Sequence, residues 1–302
     1  MAGRQPALGV LGADPRLMRA RAAALLALAV LAGCSSTPDA DAPTDAPASA
    51  PTSAPTSAPT SAPTATATAV REPQDRACHR MSYAEAVAPT TATAPVPCED
   101  PHTSMTYAVG RLDAVVGGHL LAVDSARVQE QVAADCPRRL GAFLGGDRAA
   151  LRLSMLRSVW FTPTVEESDS GADWFRCDVV ALSGPERLAP LTGRLAGVLD
   201  RPEAAERWAM CGTAGPDAAD FRRVPCSAPH AWRAVSVVDL EGRSAGGDYP
   251  GATAAREAGQ APCEAAGRAA AEDPLSFEWG YEWPSAAQWT AGMTFGRCWV
   301  PD

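Results

Sequence analysis

The phrase Val-Pro-Cys-x-x-Pro-His is written twice in the chain, at Val96–His102 and again at Val224–His230. Its histidines have the side chain best suited to chemistry, because an imidazole titrates near neutral pH and can act as a general base or a metal ligand. In the first copy Asp100 stands two residues before His102, whereas the second copy has no acid within the phrase. Neither copy offers a nucleophile motif such as Gly-x-Ser-x-Gly. We therefore favour structural histidines whose rings hydrogen-bond to the backbone of the loop.

Aromatic residues form a second group of candidates near the C-terminal end of the sequence. Four tryptophans crowd into the last 24 residues, at positions 279, 283, 289 and 299. Such rings can line a groove for a glycan or a peptide, with Trp283 and Trp289 as the candidate contacts. A role in the core is favoured, because a small module that lacks isoleucine needs other large apolar side chains.

The cysteines predict a disulfide framework. Nine are present, and Cys34 stands apart from the other eight, which divide evenly between the two copies of the phrase. No Cys-x-x-Cys occurs, so disulfides are favoured over a metal site. Pairing within each copy leaves three arrangements per copy, and we favour joining the first cysteine to the second and the third to the fourth. The resulting bonds are Cys78–Cys98, Cys136–Cys177, Cys211–Cys226 and Cys263–Cys298.

The elements that position these residues follow one order in both copies. A run of strand character comes after each phrase, at Met105–Val109 and at Trp232–Val238. A helix is predicted next, with a clear apolar stripe in the first copy and an alanine-rich version over residues 252–271 in the second. The stripe consists of Val128, Val132, Cys136, Leu140 and Phe143.

Two strands close each copy, and prolines interrupt both helices. The strands are predicted at about 150–161 with Trp174–Leu182, and at Phe277–Trp283 with Met293–Val300. Pro137 predicts a kink beside Cys136, and Pro262 a break beside Cys263. The order strand, helix, strand, strand predicts an α+β fold of two tandem disulfide-stapled modules, each a small antiparallel sheet with one packed helix.

Residues 1–33 have the features of a signal peptide. Three arginines precede an apolar run over 22–32 that is too short to span a bilayer. The run ends in Leu-Ala-Gly-Cys34, which resembles the lipobox of bacterial lipoproteins. That resemblance implies that a diacylglyceryl group modifies the Cys34 thiol and that cleavage leaves Cys34 first. Two acyl chains would hold the protein on the outer face of the cytoplasmic membrane. Met1 and Met18 are both acceptable as the first residue of the translated chain, because the essential part of the basic region, with Arg19 and Arg21, follows Met18.

Residues 34–70 are predicted to form a tether. After Cys34 they contain almost only Ala, Pro, Thr, Ser and Asp, including four consecutive Ser-Ala-Pro-Thr units. Such a segment cannot form a core, and its prolines favour extended conformations. At roughly 3 Å per residue the tether reaches about 100 Å, which is enough to enter a cell wall.

The charge and composition of the chain limit its partners. The formal charge is −9, and all 26 basic residues are arginine. Lysine, asparagine and isoleucine do not occur, which is the usage of a very GC-rich bacterial genome. An acidic chain without a basic run argues against nucleic acid as a partner, because phosphate binding needs clustered positive charge.

The second copy resembles the septum formation domain of actinobacterial envelope proteins. The resemblance rests on Val224–His230, on the helix that carries Cys263, and on the closing phrase from Pro284 to Cys298. The first copy repeats this pattern more loosely and lacks the tryptophan. The family usually has a glutamate three residues after the histidine, where this chain has Met105 and Arg233.

The two copies predict a domain organisation, with a divergent septum-formation-like domain at 71–186 and a second such domain at 204–302. The charged segment 187–203, which contains Pro190 and Pro202, is expected to be the junction. The resemblance implies septum or cell-wall biology, without an agreed activity or catalytic residue.

The function favoured from the sequence is that of a lipid-anchored envelope protein without catalytic activity, which binds or scaffolds a cell-wall or division protein. No cofactor and no metal are expected. Two alternatives remain open. One is a wall hydrolase that uses His102 or His230 beside a carboxylate, and the other is a metal-binding lipoprotein with paired histidines.

Overall fold

In the described part of the chain, each half forms one large antiparallel sheet with a long helix packed on it, and the first half also has a separate two-stranded sheet. The computed structural model describes residues 72–243 and 245–302, so the predicted signal peptide, Cys34 and the predicted tether lie outside the described residues. The predicted fold class, α+β with antiparallel sheets, is confirmed. Within the described ranges, no helix is both long enough and apolar enough to cross a membrane.

The described part of the first half contains eight strands and four α-helices. They are β1 (Cys78–His79), α1 (Tyr83–Ala86), β2 (Pro95–Val96), β3 (Ser104–Arg111), β4 (Val115–Val116), β5 (His119–Leu120), α2 (Ala126–Leu144), α3 (Arg148–Arg152), β6 (Leu156–Phe161), α4 (Val165–Asp169), β7 (Trp174–Gly184) and β8 (Arg187–Ala189). The segment predicted as a junction, 187–203, contributes β8 and a 3-10 turn (Val198–Asp200). Leu191, Leu195 and Val198 from this segment are buried in the first core.

The second half contains five strands, three α-helices and two 3-10 turns. The α-helices and strands are α5 (Pro202–Glu206), β9 (Met210–Gly212), β10 (Arg223–Pro225), β11 (Trp232–Asp239), α6 (Ala252–Ala270), β12 (Gly280–Glu282), α7 (Ala286–Thr290) and β13 (Phe295–Pro301). The 3-10 turns are Glu241–Arg243 and Ala245–Gly247.

The two large sheets have the same strand order. The first runs β2-β1-β3-β7-β6, with β8 added beside β7, and the second runs β10-β9-β11-β13-β12. All of these pairings are antiparallel. The register between the two central strands also shifts at the same place, after Thr106 in β3 and after Ala234 in β11. The repeated phrase therefore marks a repeated arrangement of strands.

Four disulfides hold these sheets. One in each half joins the long helix to a central strand, as Cys136–Cys177 and Cys263–Cys298. The other two are Cys78–Cys98 and Cys211–Cys226, at the start of each sheet. These are the pairs favoured from the sequence. On the loop-entropy model, each bond contributes about 3–4 kcal/mol by limiting the unfolded chain.

The two long helices fill their cores in different ways. Helix α2 buries larger side chains at a spacing of four, namely Val128, Val132, Cys136, Leu140 and Leu144. Helix α6 buries small residues instead, and the ring of Tyr281 fills the space beside them. A Cβ atom at Gly259 in α6 or at Gly296 in β13 would collide with that ring. Glycine at both positions therefore lets the aromatic ring lie between helix and sheet.

The predicted break at Pro262 is wrong. Helix α6 is continuous from Ala252 to Ala270, and α2 likewise runs through Pro137. A proline inside a helix removes one backbone hydrogen bond and costs about 3 kcal/mol. In both helices the neighbouring cysteine is fixed to the sheet by a disulfide and has no exposed surface, so packing and the covalent bond offset that cost.

Two predicted strands are shorter than expected. The strand predicted from about 150 begins only at Leu156, because Asp147 caps the short helix α3 by accepting a hydrogen bond from the Ala150 amide at 2.7 Å. The strand predicted for Phe277–Trp283 is limited to Gly280–Glu282, the residues that pair with β13.

The second sheet buries the face that points away from α6 against the first half. Because side chains alternate along a strand, Cys298 points to α6 while Trp299 points to the opposite face. There Trp299, which has no exposed surface, packs in one cluster with Met155 of the first half and Met210. The ring of Phe221 contacts Trp299 edge-on, at 5.1 Å between centroids. The two halves thus share a core.

Backbone hydrogen bonds continue this contact between the halves. The Met155 amide donates to the Trp208 carbonyl at 2.7 Å, and the Met210 amide donates to the Leu153 carbonyl at 2.9 Å. The Arg297 Nε donates to the Arg152 carbonyl at 2.9 Å. Residues 72–302 accordingly lie within one compact unit.

Candidate functional site

The two Pro-His loops fold in the same way. In each, the histidine Nδ1 donates a hydrogen bond to a carbonyl two residues earlier, from His102 to Asp100 at 2.8 Å and from His230 to Ala228 at 2.7 Å. A carbonyl only accepts, so the Nδ1 atom of both rings carries a proton. The loop backbone therefore fixes the orientation of both imidazoles.

His102 lies inside the protein. Only 4% of it is exposed, and its backbone carbonyl accepts a hydrogen bond from the Leu191 amide at 2.9 Å. Among the described residues, its buried Nε2 has no hydrogen-bond partner. The exposed Asp100 contacts His102 through its backbone carbonyl, so the catalytic pairing of imidazole and carboxylate considered from the sequence is not formed.

His230 belongs to a chain of charged groups at the edge of the second sheet. Its Nε2 lies 3.1 Å from Oδ2 of Asp302, and the same oxygen accepts from the Arg233 Nε at 2.7 Å. Arg233 also donates to both carboxylate oxygens of Glu206, at 3.0 and 2.7 Å. We call His230, Asp302, Arg233 and Glu206 the His230 cluster. It joins the Pro-His loop, the end of β13, β11 and α5.

Hydrogen bonds between the charged groups shift the pKa values of Arg233, Asp302 and Glu206. Hydrogen bonds to Glu206 are the main reason why the pKa of Arg233 is raised. Burial acts to raise the pKa of Asp302, but the hydrogen bonds from Arg233 and His230 outweigh it and hold that pKa below its ordinary value. The hydrogen bonds from Arg233 likewise lower the pKa of Glu206. The cluster is thus fully ionised at its carboxylates near neutral pH.

The geometry of the His230 cluster suits a structural role, in which it fixes the Pro-His loop to the neighbouring elements, better than a role in proton transfer. A general base needs a ring nitrogen that faces the substrate. Both nitrogens of His230 already face acceptors in the protein, and Asp302 is shared with Arg233. Sequence reasoning missed Asp302 and Glu206 because they are remote from the phrase. The pairing of Trp232 with Pro301, which only the structure shows, places Asp302 beside the loop.

One set of possible metal donors includes His230. The Sγ of Cys211, a ring nitrogen of His230 and a carboxylate oxygen of Asp302 lie within 4.8 Å of one another. However, Cys211 is bonded to Cys226, so its sulfur is not a thiolate. The Arg233 cation also occupies the Asp302 carboxylate. These donors do not fit a metal ion in the disulfide-bonded protein.

Both candidate tryptophans pack against the second core. Trp289 is 7% exposed, and its Nε1 donates to the Gly247 carbonyl at 2.9 Å. Trp283 is partly buried against the same core, with its ring 5.8 Å from that of Tyr281. Their placement favours the core role over a binding groove.

A groove of about 450 Å³ lies at the edge of the first sheet, away from these rings. Neither His102 nor His230 lines it. The lining residues are Met81, Ser82, Tyr83, Thr103, Ser183, Glu186, Arg187 and Leu188.

A buried polar network in the first sheet was not foreseen from the sequence. Asp178, which has no exposed surface, accepts from the hydroxyls of Ser104 at 2.6 Å and Thr106 at 2.8 Å, and from the Arg176 guanidinium at 3.0 Å. His79 is 2% exposed and lies 3.4 Å from the Thr106 hydroxyl. The signal was the alternation Arg-Cys-Asp-Val in β7, which places two charged residues on one face of an apolar strand.

Burial governs the ionisation of this network. It lowers the pKa of Arg176, although the charge of Asp178 opposes the shift. Burial also lowers the pKa of His79, and the nearby Arg176 cation adds to that effect. Burial and the Arg176 cation therefore favour the neutral form of His79 in the folded protein.

Fold and site together define a disulfide-bonded α+β protein of two similar halves, in which the backbone holds His102 and His230 and Asp302 also contacts His230. Residues 156–298 match a family model described as Septum formation. The matched stretch begins at the first residue of β6, crosses the contact between the halves and ends at Cys298. It covers just under half of the chain, as a single match. No curated protein and no solved structure matches the chain significantly.

Replacing Asp178 tests the buried network. We expect Asp178→Asn to reduce the free energy of unfolding by about 3–5 kcal/mol, because it leaves the buried Arg176 cation without a counter-charge. Urea unfolding with the disulfides intact measures the change. Asp173→Asn is a matched control, since Asp173 pairs with Arg111 on the exposed surface, and it should cost less than about 1 kcal/mol. Equal losses in the two variants would contradict this account of the network.

The lowered pKa of His79 predicts a pH dependence of stability. The unfolded chain takes up a proton on His79 below its ordinary pKa of 6.5, whereas the folded protein resists protonation. The stabilisation is therefore complete above pH 6.5 and is lost as the pH falls below it. Thermal unfolding at pH 7.5 and pH 5.5 measures this loss. His79→Gln should reduce the difference between the two pH values, and replacement of the exposed His119 by Gln should leave it intact. An unchanged difference in His79→Gln would refute the prediction.

Proposed function

We propose that this protein is a lipid-anchored component of the bacterial envelope that acts near the division septum, by binding or scaffolding rather than by catalysis. The match of residues 156–298 to the Septum formation family supports a role in the septum or envelope. The signal-peptide pattern and the lipobox at Cys34 support an anchor on the outer face of the cytoplasmic membrane.

We further propose that the two halves are copies of one septum-formation-like module, with residues 71–186 as the divergent copy and 204–302 as the closer one. Three features support this: the shared strand order, the equivalent disulfides and the shared register shift. In this proposal the junction at 187–203 joins the copies in one unit rather than separating two independent domains.

The observation that carries the non-catalytic part of the proposal is the engagement of the two histidines. His230 has both ring nitrogens in hydrogen bonds, and His102 is buried with its Nδ1 bonded to the backbone. Neither ring is presented to a substrate. The hydrolase alternative would need one imidazole to leave its loop, and the metal alternative would need donors other than the bonded Cys211.

The proposed tether suits a protein that acts at a distance from the membrane. Residues 34–70 reach about 100 Å when extended, so the folded halves can contact wall or division proteins while the anchor stays in the bilayer. The partner proposed is a protein of the cell wall or of the division machinery, and nucleic acid is not expected.

Localisation of a fluorescent fusion tests the proposal. The wild-type fusion is expected to sediment with membranes and to be enriched at septa. Cys34→Ala should release most of the protein from the membrane fraction, because the variant has no thiol to carry the acyl chains. Ser35→Ala is the matched control and should behave as the wild type.

A double variant tests the non-catalytic part separately. His102→Gln with His230→Gln should keep septal enrichment, as long as circular dichroism shows that it folds.

Uniform distribution of the wild-type fusion around the cell would contradict the septal role. A wall-degrading activity that disappears in the folded double variant would contradict the scaffold role.

A further inference from the structure

Two arginine side chains share one carboxylate where the halves meet, and the charge of a third arginine interacts with them. Arg223 on β10 donates to both oxygens of Glu282 through Nε and Nη2. The Nη1 of Arg297 on β13 lies 3.5 Å from the same carboxylate. Arg157 comes from β6 in the first half, where its Nη1 donates to two nearby backbone carbonyls at 2.8 and 2.7 Å. We call Arg157, Arg223, Arg297 and Glu282 the arginine cluster.

The charges of the arginine cluster do not balance. Among the residues that the structure describes, Glu282 is the one carboxylate within 4 Å of the Arg223 and Arg297 guanidinium groups, and Arg157 has no carboxylate at that distance. Arginine stays protonated in proteins, so the cluster carries two net positive charges. Burial lowers the pKa of Arg157 to about 10 and that of Arg297 to about 9, and the charge of Arg223 adds to both shifts. The three cations therefore repel one another.

The cluster also has unused hydrogen-bond donors. In the described part of the chain, Nη1 makes all the hydrogen bonds of Arg157, which leaves Nε and Nη2. Arg223 uses Nε and Nη2, which leaves its Nη1. The Arg223 side chain is 14% exposed and Arg157 is only partly buried, so a small solute can reach these donors.

We propose that the arginine cluster binds a phosphate group between the two halves of the protein. A doubly charged phosphate matches the two excess positive charges, whereas a carboxylate would neutralise one of them. The planar guanidinium fork fits two oxygens of one phosphate, which suits the free donors of Arg157. The group can come from inorganic phosphate or from a phosphate monoester on a larger envelope molecule, and both present the same oxygens.

Calorimetric titration of the full-length protein with inorganic phosphate tests the proposal. At pH 8 and constant ionic strength we expect saturable binding with one site per chain. Arg157→Gln should weaken it at least about tenfold, because it removes charge-assisted hydrogen bonds. Arg268→Gln removes an exposed charge that pairs with Glu264 on α6, so it is a matched control and should bind as the wild type does. Acetate should bind far more weakly than phosphate.

A conservative variant keeps the test decisive if Arg157→Gln does not fold. Arg157→Lys keeps the positive charge but loses the planar guanidinium fork. The folded variant should therefore bind phosphate several-fold more weakly than the wild type does. Glycerol phosphate distinguishes the sources: equal binding identifies a monoester group as an acceptable ligand, and binding of inorganic phosphate alone identifies the free ion. No binding to the wild type, or equal binding by wild type and folded Arg157→Lys, would overturn the proposal. The titration does not depend on where the protein acts, so its failure leaves the septal role standing.

Discussion

The contact between Trp299 of the second sheet and the first half is the constraint on which the rest of the structure depends. An antiparallel sheet of five strands has two faces, and α6 covers only one of them. The other face carries Trp299, Ala234 and Met210, which would be exposed to water if the second half stood alone. Met155 and its neighbours in the first half cover that face, and burial of such side chains is worth about 1.5–3 kcal/mol each. The two halves therefore share a core within one compact unit.

This contact also explains why the two similar halves differ at one equivalent position. An arginine precedes the helix-linked cysteine in both central strands, as Arg176 and as Arg297. In the first half, Asp178 neutralises Arg176 within the sheet, beside His79 and the hydroxyls of Ser104 and Thr106. In the second half, Trp299 stands in place of that aspartate and turns the same face into a docking surface. Arg297 then relies on Glu282 and on a carbonyl of the first half, and this leaves the excess positive charge of the arginine cluster.

Local sequence patterns predicted much of this fold, and contacts between distant segments account for what they missed. The apolar stripe of α2 and the loop positions of the cysteines are local signals, and they led to the helix and to the observed disulfides. The continuity of α6 through Pro262 depends on a disulfide and on packing against Tyr281, which no local rule includes. The histidine phrase could be found in the sequence, but its ionic partners Asp302 and Glu206 follow from strand pairing and from the position of α5. The contact between the halves was missed because the sequence of β13 does not show what covers its second face. That face could be identified as buried only once the first half was known to pack on it.

Native-state hydrogen exchange on the full-length protein tests the shared core most directly. If the halves depend on each other, the slowest amides of β7 and of β13 should exchange through one global opening, with the same free energy and the same dependence on denaturant. The account would be contradicted if the amides of β13 exchanged through an opening of clearly lower free energy while those of β7 remained protected, or the reverse.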